Sequence, residues 1–208
     1  MLLKIIISLI LSLLIGCQLA LANGLSATHD LSVEIYEDRR AIPNGGDFTL
    51  MSSEGPRSLK QYKDNMVILL FGYLSCPDIC PTQLKKVSSA LKKIDPQERD
   101  KVKVLFITLD PERDKLEHLD KFVEYFDESI IALTGEPKQI RQVADLYGVK
   151  YTKEETADGK GYVIHHSVAN YILSPDNVIR YILSHDVTPH DIVHVIHNLF
   201  KKYYPTDL

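Results

Sequence analysis

The chain has 208 residues, of which 45% are hydrophobic and 25% charged, and its formal net charge is −4. This ordinary globular composition excludes a disordered or fibrous protein. The mild acidic balance argues against nucleic acid as a partner, because there is no excess of basic residues to neutralise phosphates. Three cysteines are too few for a small secreted scaffold held together by disulfides.

The first 22 residues have the layout of an export signal. One lysine precedes a long apolar run that ends in the sequence LIGC, whose last residue is Cys17. This ending is similar to the lipobox of bacterial lipoproteins and favours lipidation of Cys17. Cleavage after Ala22 is the second alternative, and an uncleaved membrane anchor over residues 2–22 is the third, because about 20 apolar residues cross a bilayer. All three predict a body outside the cytoplasm, facing the periplasm, and the first and third attach it to a membrane.

Residues 23–46 are polar and poorly periodic, which predicts a tether, and residues 47–203 predict one folded domain. The predicted strands are 48–51, 66–71, 102–109, 130–133, 171–173 and 178–183. The predicted helices are 81–94, 116–126, 137–147 and 188–201. Residues 53–56 predict a turn, and residues 174–177 predict a hairpin turn. This order indicates an α/β fold with a central mixed sheet flanked by helices, matching a thioredoxin-like fold with an N-terminal β extension.

Cys76 and Cys80 lie between a predicted buried strand and a predicted helix, in the segment FGYLSCPDICP, residues 71–81. A spacing of four residues puts both sulfurs on one side of the first helical turn, where the helix dipole favours thiolates. Three intervening residues leave room for an ion between the sulfurs. Two thiolates suit Cu(I), and an added imidazole suits copper in either oxidation state. The alternatives are a dithiol redox pair and two buried cysteines that act as small apolar residues.

Eight histidines are candidates for a third ligand. His29, in the tether, and His118, on a polar helix face, are expected to be solvated. His165 and His166 immediately precede the apolar strand 168–173. In a thioredoxin-like sheet, the loop that enters this strand lies against the cysteine loop and carries a cis-proline in thioredoxins. This chain has no proline there, so a histidine can face the sulfurs.

Three segments together resemble the Sco/SenC copper chaperones: GYLSCPDICP (72–81), TLDPERD (108–114) and YVIHHS (162–167). The resemblance covers roughly residues 47–200. It implies a thioredoxin-like domain that binds one copper ion, Cu(I) or Cu(II), through Cys76, Cys80 and His166. It also implies delivery of copper to, or thiol reduction of, the binuclear copper site of cytochrome c oxidase. The family commonly has Asp where this chain has His165, and often Thr-Pro where it has Lys115-Leu116.

The resemblance leads us to expect a membrane-tethered copper chaperone and not an enzyme. Its expected partners are the copper-site subunit of the oxidase, a thiol reductase and another copper carrier. Oxidation to a Cys76–Cys80 disulfide would abolish copper binding. The alternative is a thiol–disulfide oxidoreductase that reduces partner cysteines. His166 discriminates between the two functions, because a metal carrier needs it and a dithiol reductant does not.

The acidic segment after the strand 102–109 has two interpretations. Asp110 lies at the carboxyl edge of the predicted sheet, where α/β proteins place their sites. It either orients a ligand or gives an oxygen to Cu(II), or it caps the next helix while Arg113 pairs with a carboxylate. Asp114 is expected to cap that helix. His165 is a further residue expected to alter the electrostatics around the ligands, because it replaces the usual Asp.

The last predicted helix carries three histidines at spacings i, i+4 and i+7, which places them on one face. These three are His190, His194 and His197. They face away from the apolar side of the helix, so we expect them to be exposed. The pattern predicts either a low-affinity metal patch or, more in keeping with amphipathic helices, a solvated polar face.

Overall fold

The structure is a computed structural model that describes residues 43–205. The strands in that part of the chain are β1 (Thr49–Ser52), β2 (Gly55–Ser58), β3 (Met66–Gly72), β4 (Val102–Thr108), β5 (Ile130–Leu133), β6 (Tyr151–Glu155), β7 (Tyr162–His166), β8 (Asn170–Leu173) and β9 (Ile179–Leu183). The α-helices are α1 (Ile79–Leu91), α2 (Pro96–Arg99), α3 (Leu116–Glu124), α4 (Pro137–Leu146) and α5 (Pro189–Tyr203). A short 3₁₀ helix covers Leu59–Tyr62.

The central sheet has five strands in the order β5-β4-β3-β8-β9. The pairs β3–β4 and β4–β5 are parallel, whereas β3–β8 and β8–β9 are antiparallel. Two antiparallel hairpins, β1–β2 and β6–β7, form separate two-stranded sheets. The predicted α/β fold with a mixed central sheet is confirmed, and β1–β2 is the predicted N-terminal β extension.

The middle strand β3 divides the hydrophobic core into two layers. All seven of its residues are buried. Successive side chains of a strand point to opposite faces, so Val67 and Leu69 pack in one core cluster while Ile68 and Leu70 pack in the other. Burial on both faces explains why this strand reads as a continuous apolar run. It also fixes the position of the cysteine loop, which follows directly.

The helix predicted over 81–94 is α1, which ends at Leu91, and a second, short helix, α2, follows it. α1 begins two residues earlier, because Pro81 is compatible with the first turn of a helix. Asp95 and Pro96 then start α2: the Asp95 side chain accepts a hydrogen bond from the N–H of Gln97 at 2.9 Å, and Pro96 occupies the first turn. The same two residues therefore separate the helices and begin the second.

Three strands were not predicted from the sequence. Residues 53–56 were expected to form only a turn, but β2 starts at Gly55. The hairpin β6–β7 was missed entirely, and the two adjacent histidines predicted to lie in a loop are the last two residues of β7. β6 has the sequence YTKEE and is mostly exposed, so it lacks the apolar alternation that identifies a half-buried strand.

The end of the predicted tether packs on the domain. The N–H of Gly45 donates to the carbonyl of Leu146 at 3.1 Å, and the Tyr147 hydroxyl donates to the carbonyl of Gly46 at 3.0 Å. The predicted export signal, Cys17 and the rest of the tether up to residue 42 lie outside the described residues. Among residues 43–205, no helix has the length and apolar composition needed to cross a bilayer.

Candidate metal centre

The two cysteines lie where β3 ends and α1 begins. Cys80 is in the first turn of α1, and its N–H points to the sulfur of Cys76 at 3.4 Å. Both are free thiols, with 9% and 4% of the residue surface exposed for Cys76 and Cys80. The preceding Gly72 is required for this arrangement: a Cβ there would lie 2.8 Å from the Cys80 sulfur and 2.9 Å from the Phe106 ring.

The third donor is His166, which reaches the sulfurs from the end of β7. Its Nε2 lies 3.8 Å from the Cys80 sulfur, and its Nδ1 lies 3.0 Å from the carbonyl of Ser167. A carbonyl only accepts, so this bond assigns the proton to Nδ1 and leaves the Nε2 lone pair toward the sulfurs. Tyr73 packs edge-on against the imidazole, with ring centroids 6.1 Å apart.

These three donors have the separation that a bound ion requires. Their ligand atoms all lie within 4.8 Å of one another, and no other three His, Cys, Asp or Glu residues in the described part of the chain do so. With metal–sulfur and metal–nitrogen bonds of about 2.3 and 2.0 Å, two such ligand atoms at 120° around an ion lie about 3.7 Å apart. Thiolate and imidazole donors suit copper and zinc.

The two thiols have very different pKa values. A hydrogen bond from the Cys80 thiol lowers the pKa of Cys76 to about 5, aided by the N–H groups of Cys80 and Asp78 and by His166, and opposed by burial. The same bond raises the pKa of Cys80, together with burial. Cys76 is therefore the thiolate of the pair and Cys80 the proton donor. A soft cation displaces the remaining proton when both sulfurs become ligands.

Asp110 does not belong to the group of three donors. Its carboxylate is fully buried, accepting a hydrogen bond from the Tyr162 hydroxyl at 2.7 Å and pairing with Nε of Arg113 at 2.5 Å. Of the second interpretation offered from sequence, the pairing of Arg113 with a carboxylate is seen. The predicted helix cap is wrong for Asp110, because Lys115 occupies the cap position of the next helix. Through Tyr162, Asp110 contacts the strand that carries His166.

The prediction that Asp114 caps the following helix is wrong. α3 begins at Leu116 with Lys115 in the cap position, whereas the Asp114 carboxylate points into the protein. It accepts hydrogen bonds from the Thr108 hydroxyl at 2.6 Å and from the N–H of Leu74 at 3.0 Å. Burial raises the pKa of Asp114, and these two bonds oppose that rise. Asp114 thus binds the cysteine loop to the end of β4.

The other histidines singled out from sequence are not in the donor group. His165 lies on the opposite side of β7 from His166, largely exposed, and its Nε2 is 2.8 Å from a carboxylate oxygen of Glu154. We call His190, His194 and His197 the α5 histidines, after the helix that carries them. Among them, His197 contacts the buried Glu98 at 2.5 Å and His194 contacts Asn198. The structure does not bring the α5 histidines together as ligands for one ion.

The model of the SCO1/SenC family matches residues 37–201. The chain belongs to the SCO1/SenC family. It is 39% identical over 146 residues to the mitochondrial protein SCO1 homolog 1 of Arabidopsis thaliana, covering 69% of this chain and 43% of that protein. It is 33% identical over 168 residues to the SCO2-like protein RC0895 of Rickettsia conorii, covering 80% of each. The resemblance inferred from the three sequence segments is confirmed.

Solved structures of the family have the same fold. Arabidopsis thaliana ScoI with copper bound matches 76% of this chain and 99% of that chain, with a TM-score of 0.71 and 32% identity. Several of the mitochondrial SCO proteins are longer, and this chain spans 43% to 56% of their length.

A cavity of about 350 Å³ opens onto the metal centre of this family member. Cys76 and His166 are among its lining residues, whereas Cys80 is not. Most of the other lining residues are apolar, Pro77 and Ile79 among them, and Asp78 and His165 also line the cavity. One thiolate and the imidazole are thus reached from outside, and the second sulfur lies behind them.

Proposed function

We propose that this SCO1/SenC protein is a copper chaperone, which binds one copper ion through Cys76, Cys80 and His166. The observation that carries the proposal is the convergence of two sulfurs and one imidazole nitrogen within 4.8 Å. It is supported by Arabidopsis ScoI, a family member of the same fold whose structure has copper bound. Soft sulfur donors favour Cu(I), and the imidazole makes the set suitable for Cu(II) as well.

We further propose that the copper goes to the binuclear copper site of cytochrome c oxidase, and that the protein works outside the cytoplasm, tethered by its N-terminus. The partners are the copper-site subunit of the oxidase, a thiol reductase that keeps both cysteines reduced, and a second copper carrier that loads the site. The cavity supports transfer by ligand exchange, because incoming donors can reach the side of Cys76 and His166 first. Cys80, behind them, is then the last ligand to leave.

Oxidation acts as a gate on binding. The two thiols lose two electrons and two protons to a two-electron oxidant such as a partner disulfide, which is reduced to a dithiol. They form the Cys76–Cys80 disulfide, which leaves no thiolate for the ion. Copper binding is then limited to the reduced protein. The short separation of the sulfurs supports this step, since both belong to the same group of three ligand atoms.

A second candidate function is thiol–disulfide exchange, favoured by the lowered pKa of Cys76. The Cys76 thiolate would attack a partner disulfide and form a mixed disulfide, and Cys80 would then attack Cys76 and release the partner as a dithiol. The two electrons and two protons that reduce the partner come from the two cysteines. This function uses both thiols and does not require His166.

The experiment that separates these functions compares copper affinity in the full reduced chain and in two variants of β7. His166→Ala removes the nitrogen donor, and His165→Ala is the matched control on the opposite side of the strand. Affinity for Cu(I) is measured by competition with a chromophoric chelator. We expect one equivalent bound by the parent, a loss of more than about 100-fold in His166→Ala, and no change in His165→Ala; changing only an outer partner of a ligand costs about 10- to 100-fold. Tight binding that does not depend on His166 would refute the chaperone site and favour the oxidoreductase.

A further inference from the structure

The segment between β4 and α3 contacts both halves of the metal centre. On one side, Asp114 accepts a hydrogen bond from the N–H of Leu74, two residues before Cys76. On the other, Nη1 of Arg113 donates to the carbonyl of Tyr162 at 2.9 Å, at the start of the strand that ends with the third donor. A segment of five residues therefore touches the loop that carries the sulfurs and the strand that carries the imidazole.

Three side chains make the second of these connections a closed triangle. Asp110 pairs with Arg113 through one carboxylate oxygen and accepts from the Tyr162 hydroxyl through the other. The guanidinium of Arg113 also lies over the Tyr162 ring, 3.7 Å from its centroid. Each of the three therefore contacts the other two, and Arg113 holds both the ring and the carbonyl of the same tyrosine. We name Asp110, Arg113 and Tyr162 the latch.

The latch matters because β7 is not a strand of the central sheet. It pairs with β6 in a separate two-stranded hairpin. Toward the rest of the domain, the buried side chain of Ile164 packs in the core, and its N–H donates to the Tyr73 hydroxyl at 3.4 Å. The bond from Arg113 to Tyr162 is shorter and comes from the sheet edge at the end of β4. The position of β7 relative to the sulfurs therefore depends on side chains.

We propose that the latch is a positioning device for the metal centre: it sets the distance from His166 to the two sulfurs. The inference rests on the proposed metal site and deepens it. The latch residues touch neither sulfur nor imidazole, and act through the strand that carries the imidazole. When the latch is intact, β7 presents the imidazole at the observed separation from Cys80. Without it, both sulfurs remain in place and the nitrogen donor is held less closely.

The test is a double-mutant cycle on copper affinity, using the full reduced chain. Arg113→Ala should weaken Cu(I) binding by about 10- to 100-fold, the usual effect of losing an outer partner of a metal ligand. Tyr162→Phe, which keeps the ring and the carbonyl, should weaken it by about 2- to 10-fold, the effect of one hydrogen bond. In a chain that already carries His166→Ala, Arg113→Ala should have no further effect, because the latch acts through the imidazole.

Three further measurements separate positioning from a general loss of structure. Arg113→Lys keeps the charge but not the fork that reaches a carboxylate and a carbonyl together, so it should fold like the parent and still bind copper at least about 10-fold more weakly. The thiolate-to-Cu(II) charge-transfer absorption band should change in the Arg113 variants. In the metal-free Arg113 variants, the amides of residues 162–166 should exchange hydrogen faster than in the metal-free parent. Glu155→Ala is the control, since Glu155 is the exposed β6 residue opposite Tyr162 and lies outside the latch.

Parent-like affinity and spectrum in folded Arg113→Ala would overturn the inference. An equal loss in the chain lacking the imidazole would also overturn it, because the effect would then not pass through His166. Absence of copper binding by the parent chain is a different result: it would refute the proposed function, before any latch variant is compared.

Discussion

Replacing Asp114 by alanine is predicted to destabilise the fold around the cysteine loop. The carboxylate is buried and accepts two hydrogen bonds, from the Thr108 hydroxyl and the Leu74 N–H. Alanine leaves both donors without an acceptor, at a cost of about 1–3 kcal/mol each. Part of that loss is offset because the buried carboxylate no longer has to be desolvated, a cost visible in the raised pKa of Asp114. We therefore expect a net loss of about 3 kcal/mol in the free energy of unfolding.

The measurement is thermal unfolding of the metal-free, reduced protein. A domain of this size changes its Tm by about 2–4 °C per kcal/mol, so the variant should melt about 6–12 °C lower. Glu117→Ala is the control: its ion pair with Lys121 is exposed on both sides, and such helix pairs contribute about 0.3–0.5 kcal/mol. A fall in Tm no larger than that of the control would refute the role assigned to Asp114.

The titration of Asp114 makes the stability of the protein depend on pH, with a definite sign. The pKa of Asp114 is raised in the folded state, so protonation of this carboxyl stabilises the folded protein. That stabilisation is fully present below pH 3.8, the ordinary pKa of the group, and is lost as the pH rises through the pKa of the folded state. Asp114→Asn does not titrate and keeps one acceptor oxygen for the Leu74 N–H. The parent should therefore be most stable relative to this variant in acid, and lose that advantage above pH 3.8. A difference between the two proteins that does not change with pH would contradict the shift.

Three further predictions concern the metal centre and the α5 histidines. Gly72→Ala should lower the free energy of unfolding by about 1–3 kcal/mol, as expected for overpacking. It should also alter the spectrum of bound copper, because the new methyl group meets the Cys80 sulfur. Parent-like unfolding and a parent-like spectrum would contradict this prediction. Alkylation of the metal-free protein by iodoacetamide should occur at Cys76 and be half-maximal near pH 5, as read by peptide mass spectrometry; a midpoint near pH 9 would contradict the lowered pKa. Replacing all three α5 histidines should leave the stoichiometry at one copper per chain, and loss of a second equivalent would instead reveal a metal patch.

The fold could be predicted where local pattern and final environment agree. β5 was predicted with its observed bounds, Ile130–Leu133, because a strand buried on both faces is apolar along its whole length. β6 could not be predicted, since its residues are mostly exposed and polar and it is ordered by pairing with β7. In such a strand the partner, and not the sequence of the strand itself, determines the structure.

The residues of the metal centre also differ in how far the sequence alone could identify them. The cysteine pair was visible because both sulfurs are four residues apart in one segment, whereas the histidine required a hypothesis about the fold and a family resemblance. The long-range contacts of the Asp110–Asp114 segment were not foreseen: Asp114 binds a residue 40 positions away, and Arg113 binds one 49 positions away. A short acidic motif after a strand has several possible partners, and only the tertiary structure selects among them.

The distance along the chain between the ligands makes a bound ion a cross-link. Cys80 and His166 are 86 residues apart in sequence, so an ion held by both closes most of the domain into a loop that the unfolded chain does not have. Free ligand at about 1,000 times its Kd adds about 4 kcal/mol to the stability of a protein that binds it only when folded. A protein with such a site is more resistant to unfolding with the ion bound than without it. Resistance to heat or protease therefore reports whether the ion is bound.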